Sequence, residues 1–260
     1  MINLKTTHEI ELMARAGHLL AEVLEELRQA IKPGLQTIEL DRLAEKRIRA
    51  GGARPGFLGY HGFPNSICVS VNDEAVHGIP GKRRLHPGDI VSLDLGLVLE
   101  GFWADVGCTV PVGKVSPQAE RLIKVTEEAL YVGIEQAQPG GRLGDISAAV
   151  QRHAEQAGFS VIKQFVGHGI GRQMHEDPQV PNFGVPGTGP ELRPGMTLAI
   201  EPMVNAGSED VYIKPDGWTV CTVDGSLSAY FEHTVAVTKN GPLILTAVSG
   251  SKPNGMGRIR

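Results

Sequence analysis

Apolar residues recur along this chain with two different periods, and the switch between them marks out its elements. Ile10, Met13, Ala14, Gly17, Leu20, Ala21, Leu24 and Leu27 return every three to four positions, which predicts an amphipathic helix. Thr6 and Glu9 stand at capping-box spacing at its start, and Pro33-Gly34 closes it. A second helix is expected from about Thr37 to Arg49, stopping at Gly51-Gly52. From Ile90 the period falls to two. Val91, Leu93, Leu95, Leu97 and Leu99 alternate with Ser92, Asp94 and Gly96, as in a strand with one buried face. Beyond Glu100-Gly101 the alternation resumes, with Phe102, Ala104, Val106, Cys108 and Val110 on one side and Trp103, Asp105, Gly107 and Thr109 on the other.

The same order of elements returns further on. Leu85 to Asp94 and Leu192 to Glu201 share the pattern L-x-P-G-x-x-(V/L)-x-(L/I)-acid at an offset of 107. Pro33-Gly34 with Ile38-Glu39-Leu40 matches Pro139-Gly140 with Gly144-Asp145-Ile146 at an offset of 106, and Ala50-Gly51 matches Ala157-Gly158 at 107. Proline-glycine turns recur by chance in any glycine-rich chain, but a steady offset across three matches points to two related halves. Helices from Ser116 to about Gln138 and from Leu143 to about Gln156 would repeat the first pair. The expected organisation is one domain over 1–260, with halves at about 1–112 and 113–250 and a flexible tail at 251–260. Its class is α+β, with helices on one face of a mainly antiparallel sheet.

The acids on these strands are the first candidate chemistry. A two-residue turn at Glu100-Gly101 sets Asp94 opposite Gly107 and Asp105 opposite Gly96. The two carboxylates then become diagonal neighbours on one face, roughly 7–8 Å apart at Cα. Two like charges there repel unless a cation lies between them, and glycine opposite each acid would leave room for it. Taken alone, the pair reads equally well as two solvated aspartates. The repeat adds Glu201 as the counterpart of Asp94, and Glu232 as an acid on the returning strand of the second half. Glu201 and Glu232 lie 31 residues apart against 11 for the aspartates, so the second hairpin carries an insertion of 20. Four acids in one pocket would raise one another's pKa unless divalent metals neutralise them.

Three histidines stand in loops rich in glycine or proline: His77 before Gly78, His168 between Gly167 and Gly169, and His175 in Met174-His175-Glu176-Asp177-Pro178. Each alone reads as a surface or core histidine. Three cysteines (Cys68, Cys108, Cys221) lie far apart with no CxxC pair, which fits a reducing, cytoplasmic compartment. The net charge of −4 gives no sign of a nucleic-acid surface, although a basic face assembled from distant residues stays open. No stretch of 18 apolar residues exists to span a membrane, and residues 1–9 do not look like a secretory leader.

These residues, together with Gly59-Tyr60-His61-Gly62-Phe63-Pro64, Ala199-Ile200-Glu201-Pro202 and Phe231-Glu232-His233-Thr234, carry a resemblance. The chain resembles the type I methionine aminopeptidases over nearly its whole length. The resemblance implies a pita-bread fold, two pseudo-two-fold-related halves with helices outside a curved sheet. It implies two divalent ions (Co, Mn, Fe or Zn) held by Asp94, Asp105, His168, Glu201 and Glu232, with Asp105 and Glu232 bridging. A hydroxide shared by the ions would attack the first peptide bond of chains with a small second residue, releasing the initiator methionine. Glu201 would move the proton, while His77 and His175 would contact substrate. Tyr60, Phe63, Cys68 and Trp218 would form the methionine pocket, with Trp218 supplied by the insertion. Met174 and Phe57 depart from the family pattern, a change that would reshape either the pocket rim or the tolerance for the second residue. A monovalent cation near Asn72 and Ser228, nascent N-termini as substrate, a ribosomal contact and a monomeric state are further implications. Two alternatives stay open: a proline-specific aminopeptidase or dipeptidase of the same fold, and a metal-free peptide-binding module.

Overall fold

The computed structural model describes residues 1–248, so the expected tail at 251–260 lies outside the described residues. The chain begins with α1 (Thr7–Ala30) and α2 (Thr37–Ala50), then β1 (Arg54–Pro55), β2 (Ile67–Val71), β3 (Glu74–Val76), β4 (Ile90–Leu99) and β5 (Phe102–Pro111). The second half opens with α3 (Pro117–Glu135) and α4 (Leu143–Gln156), followed by β6 (Ser160–Val161), β7 (Gly167–Gly169), β8 (Glu176–Val180) and β9 (Thr197–Ile200). Then come β10 (Met203–Asn205), β11 (Val211–Ile213), β12 (Val220–Thr222), β13 (Ser228–Tyr230), β14 (Glu232–Thr238) and β15 (Gly241–Ile244).

α1 starts where its cap dictates. The Thr6 hydroxyl accepts from the Glu9 N–H at 3.2 Å, and the Glu9 carboxylate accepts from the Thr6 N–H at 2.9 Å. α3 begins one residue inside its expected start, because Ser116 is the N-cap. The repeat recurs in the backbone bonding. Gly34 N–H donates to Leu85 O, and Gly140 N–H to Leu192 O, each at 2.8 Å. Each half therefore ties its helix–helix turn to the loop that leads into its acid-bearing strand.

The main sheet runs β1-β4-β5-β14-β9-β7-β8, with β2 on the free edge of β4 and β15 beside β14; the pairs are antiparallel. One face packs on the helices. Leu93, Leu95 and Leu97 of β4, Val106 and Cys108 of β5, Leu198 of β9 and Val235 of β14 join Leu20, Leu24, Leu27, Leu130 and Ile146 in one core. Period-two alternation then turns Asp94, Asp105 and Glu232 to the opposite, helix-free face. The two halves meet at β5 and β14, where the Thr234 hydroxyl accepts from the Asp105 N–H at 3.0 Å and donates to its carbonyl at 2.8 Å. The insertion is built from β10 to β13. Its β12 pairs with β3 of the first half, setting Val220 opposite Val76 and bringing the segment that carries Trp218 towards His77.

Candidate active site

Register places the first two acids as the alternation predicts: Asp94 opposite Gly107 and Gly96 opposite Asp105. Glu232 pairs with Gly107 from the other side of β5, so three acids converge on one strand crossing. His168 of β7 sits opposite Ala199 on β9, two residues before Glu201. In the first half the equivalent of Ala199 is Ser92, whose register partner is Ser70, so His168 stands where the other half has a serine. The room opposite the acids is a correction. A Cβ at Gly107 would lie 2.2 Å from Cε1 of Tyr230, and one at Gly96 would lie 2.6 Å from Cε1 of Phe57. The glycines admit two aromatic rings in place of an ion.

Asp105, His168 and Glu232 each present one ligand atom within 4.8 Å of the others. Nε2 of His168 lies 3.5 Å from Oε1 of Glu201. The Nδ1 of His168 donates to the Gly169 carbonyl at 2.9 Å, which leaves the Nε2 lone pair facing the acids. Cys68 stands opposite Asp94 in register, its thiol beside the carboxylate. Tyr230 donates its phenol proton to Oε2 of Glu232.

The electrostatics of this cluster are costly without a counter-charge. Burial raises Asp94 from 3.8 to about 7, against the opposing pull of the Cys68 thiol. Burial, then the charges of Glu232, Asp94 and Glu201, lift Asp105 well above the carboxylate range. Glu201 and Glu232 are raised in the same way, burial first and neighbouring acids next. Burial, followed by the neighbouring His175, lowers His168 to about 4 and keeps the imidazole neutral. Asp94 Oδ1, Asp105 Oδ1 and Glu232 Oε1 are buried oxygens with no hydrogen-bond partner. Oxygen-rich donors, one imidazole with a free lone pair and three orphaned carboxylate oxygens fit divalent cations. The four carboxylates carry as many negative charges as two such ions carry positive ones.

Above the acids is a cleft of about 100 Å³ bordered by His77, His168, His175, Phe165, Met174 and Tyr230. A larger cavity of about 430 Å³ lies behind the sheet, between α1 and α3, and includes none of the acids. The small cleft is the one that opens onto Asp94, Asp105, His168 and Glu201. His168 and His175 have ring centroids 4.3 Å apart. Nδ1 of His175 is 2.8 Å from the Tyr60 hydroxyl. His77 meets the Phe165 ring edge-on at 5.7 Å, and burial, followed by His175, lowers it to about 4.

Of the four expected pocket residues, Phe63, Cys68 and Trp218 pack together, with the Phe63 and Trp218 rings in a T-shaped contact at 5.2 Å. Tyr60 stands apart, against Trp103 and His175. Phe57 and Met174 belong to the Phe63 cluster, as does Ile79, which pattern reading missed. Phe57 is buried against Gly96, in the wall beside Phe63 and Cys68. Tyr230 and Phe165 were also missed. Strand parity gave a signal for Tyr230, two residues before Glu232 and so on its face; Phe165 had none. Asn72 and Ser228 are adjacent, with the Ser228 N–H donating to the Asn72 carbonyl at 2.9 Å.

Comparison with known proteins gives concordant results. Residues 11–239 match metallopeptidase family M24. A methionine aminopeptidase of Clostridium perfringens is 54% identical over 248 residues, covering 95% of this chain and all of that protein. The crystal structure of a methionine aminopeptidase from Thermotoga maritima superposes with a TM-score of 0.93 at 48% identity, over 95% of this chain and 99% of that one. A prolidase from Pyrococcus furiosus, 22% identical with a TM-score of 0.78 over 95% of this chain and 66% of its own, shares the fold alone.

Proposed function

The chain belongs to metallopeptidase family M24, and on that premise we propose that it is a methionine aminopeptidase acting on the N-termini of newly made polypeptides with a small second residue. The observation that carries the site assignment is the buried cluster of unpartnered carboxylate oxygens around His168. Asp94, Asp105, His168, Glu201 and Glu232 would together hold two divalent ions. Bound there, the ions supply Lewis-acid charge stabilisation and lower the pKa of water. Manganese, iron and cobalt suit this donor set at least as well as zinc.

The protein's own groups divide the remaining work. Glu201 accepts the proton of the attacking water and returns it to the leaving amine. With the Tyr60 phenol donating to Nδ1, His175 keeps its proton on Nε2 and donates it to the developing oxyanion. His77, neutral because burial, and then His175, hold its pKa near 4, hydrogen-bonds the scissile amide. The wall of Phe63, Cys68 and Trp218, with Phe57 and Met174, receives the methionine side chain, an apolar and polarisable group suited to aromatic contact. Asn72 and Ser228 are the proposed monovalent-cation position.

A monomer is the proposed state, and no helix among the described residues is long and apolar enough to cross a membrane. Nascent chains at the ribosome in the cytoplasm are the proposed setting. Release of methionine from a Met-Ala-Ser peptide, assayed with Mn²⁺, Fe²⁺ or Co²⁺, tests the reading. Folded Asp105→Ala and Glu232→Ala variants are expected to lose at least about a hundredfold in turnover, since several kcal/mol of charge stabilisation go with each ligand. Parental rates in both would overturn the site assignment. Hydrolysis of Ala-Pro without Met-Ala-Ser would replace the substrate reading with that of a proline-specific relative. Absence of both turnover and metal uptake would point to a binding module.

A further inference from the structure

Tyr230 lies on the floor of the cleft, buried, with its hydroxyl bonded to Oε2 of Glu232. Three other positions on the same face are shaped around it. Gly107 gives its ring room, since a Cβ there would stand 2.2 Å from Cε1 and 2.9 Å from Cδ1. The Thr109 hydroxyl accepts from the Tyr230 N–H at 2.8 Å and donates to the Tyr230 carbonyl at 2.9 Å. Ser92 Oγ is 2.8 Å from Thr109 Oγ1 and donates to it, because the threonine proton is already committed. Ring and backbone are thus held separately, and glycine in a central strand is otherwise a weakening choice.

We infer that Tyr230 is a positioning residue: its phenol holds Oε2 of Glu232 and leaves Oε1, which has no other partner, as the oxygen free for an ion. Hydrogen bonds to ligating carboxylates fix their orientation, and their removal costs metal affinity or activity. The inference rests on Glu232 being a metal ligand, as proposed above. It adds that this chain orients the ligand through a ring-and-glycine pair, Tyr230 with Gly107, in which neither residue works without the other.

Tyr230→Phe keeps the ring and removes the bond, while Gly107→Ala keeps the hydroxyl and displaces the ring. Cobalt(II) alone is titrated into each folded variant and the parent under anaerobic conditions, following heat and visible absorption. Both variants are expected to bind Co²⁺ about 10–100-fold more weakly than the parent and to show an altered cobalt spectrum. At saturating Co²⁺, kcat on Met-Ala-Ser should fall while KM stays near the parental value. A Glu232→Gln variant separates the two levels of inference. If it binds Co²⁺ like the parent, the ligand assignment fails and Tyr230 loses its role with it. If Glu232→Gln loses affinity while Tyr230→Phe and Gly107→Ala keep parental affinity and spectrum, the positioning role is overturned. Gly107→Ala alone decides the matter should Tyr230→Phe not fold.

Discussion

His175 shows how much depends on one hydrogen bond. Its ring lies against His168, and the Tyr60 hydroxyl is 2.8 Å from Nδ1; with the phenol as donor the imidazole proton sits on Nε2. Tyr60→Phe removes that bond and leaves the ring contacts with Trp103 and His175. One neutral hydrogen bond contributes about 0.5–1.5 kcal/mol, so kcat should fall roughly 2–10-fold with little change in KM. Steady-state kinetics on Met-Ala-Ser decide this, and a rise in KM at constant kcat would show that Tyr60 binds substrate instead. At this scale the site was legible where strand parity applies. Asp94 and Asp105 share a face because a two-residue turn leaves no other register, and the internal repeat points to Glu232 on the returning strand of the second half. Parity reports which face a residue is on, but not what fills the space opposite. For that reason Gly96 and Gly107 were misjudged as room for an ion, when Phe57 and Tyr230 arrive from distant segments to fill it.

The helices and loops around the sheet fix how the histidines are presented. Lys5, just ahead of α1, forms a 2.5 Å ion pair with Glu176, both side chains 5% exposed, and its N–H donates to Gly195 O at 2.7 Å. Glu176 follows His175 directly, so this buried pair anchors the loop that carries a proposed catalytic group. Despite burial, the bonds from Lys5 and from the Gln173 N–H hold Glu176 below the usual carboxylate range. Lys5→Met leaves that carboxylate buried and unpaired, at an expected cost of about 3–5 kcal/mol in urea denaturation. Adding Glu176→Gln should recover part of the loss; a Lys5→Met loss below about 1 kcal/mol would show that the pair is only superficially buried. α1 itself packs so closely that a Cβ at Gly17 would lie 2.2 Å from the Leu245 carbonyl oxygen. Gly17→Ala gains about 1 kcal/mol of helix propensity but forces overpacking of about 1–3 kcal/mol, so a net drop in melting temperature is expected. An increase would mean the helix can shift outward freely. The helices were legible from apolar spacing and caps, since those signals are local. The pairing of β12 with β3 was not, because three-residue strands joining distant segments leave no periodicity to read.

For the whole molecule, the buried acids make stability depend jointly on pH and metal. A carboxyl whose pKa is raised on folding contributes its full stability below its unfolded value and loses it as pH climbs through the folded one. Asp94, raised from 3.8 to about 7, alone corresponds to on the order of 4 kcal/mol across that interval. Asp105, Glu201 and Glu232 shift in the same direction. His77, His168 and His233, lowered from 6.5 to about 4 mainly by burial, act in reverse. Their contribution is complete above 6.5 and disappears as pH falls towards 4. The two sets oppose each other below about pH 6.5, whereas between about pH 6.5 and 7 the imidazoles are neutral in both states and Asp94 still loses stability. Metal-free protein in a chelator should therefore melt at lower temperature as pH rises from about 6.5 through 7, where Asp94 gives up the last of its folded-state proton. Protein loaded with Mn²⁺ should lose most of that slope, because the ions take the place of the protons. The same exchange requires Mn²⁺ binding at pH 7 to release protons, measurable with an indicator dye in weak buffer. Parallel melting curves with and without metal, and no proton release, would mean that the acids are not what the ions neutralise. The fold would then be holding four buried acids for some other purpose, and the assignment of this cleft would have to be abandoned.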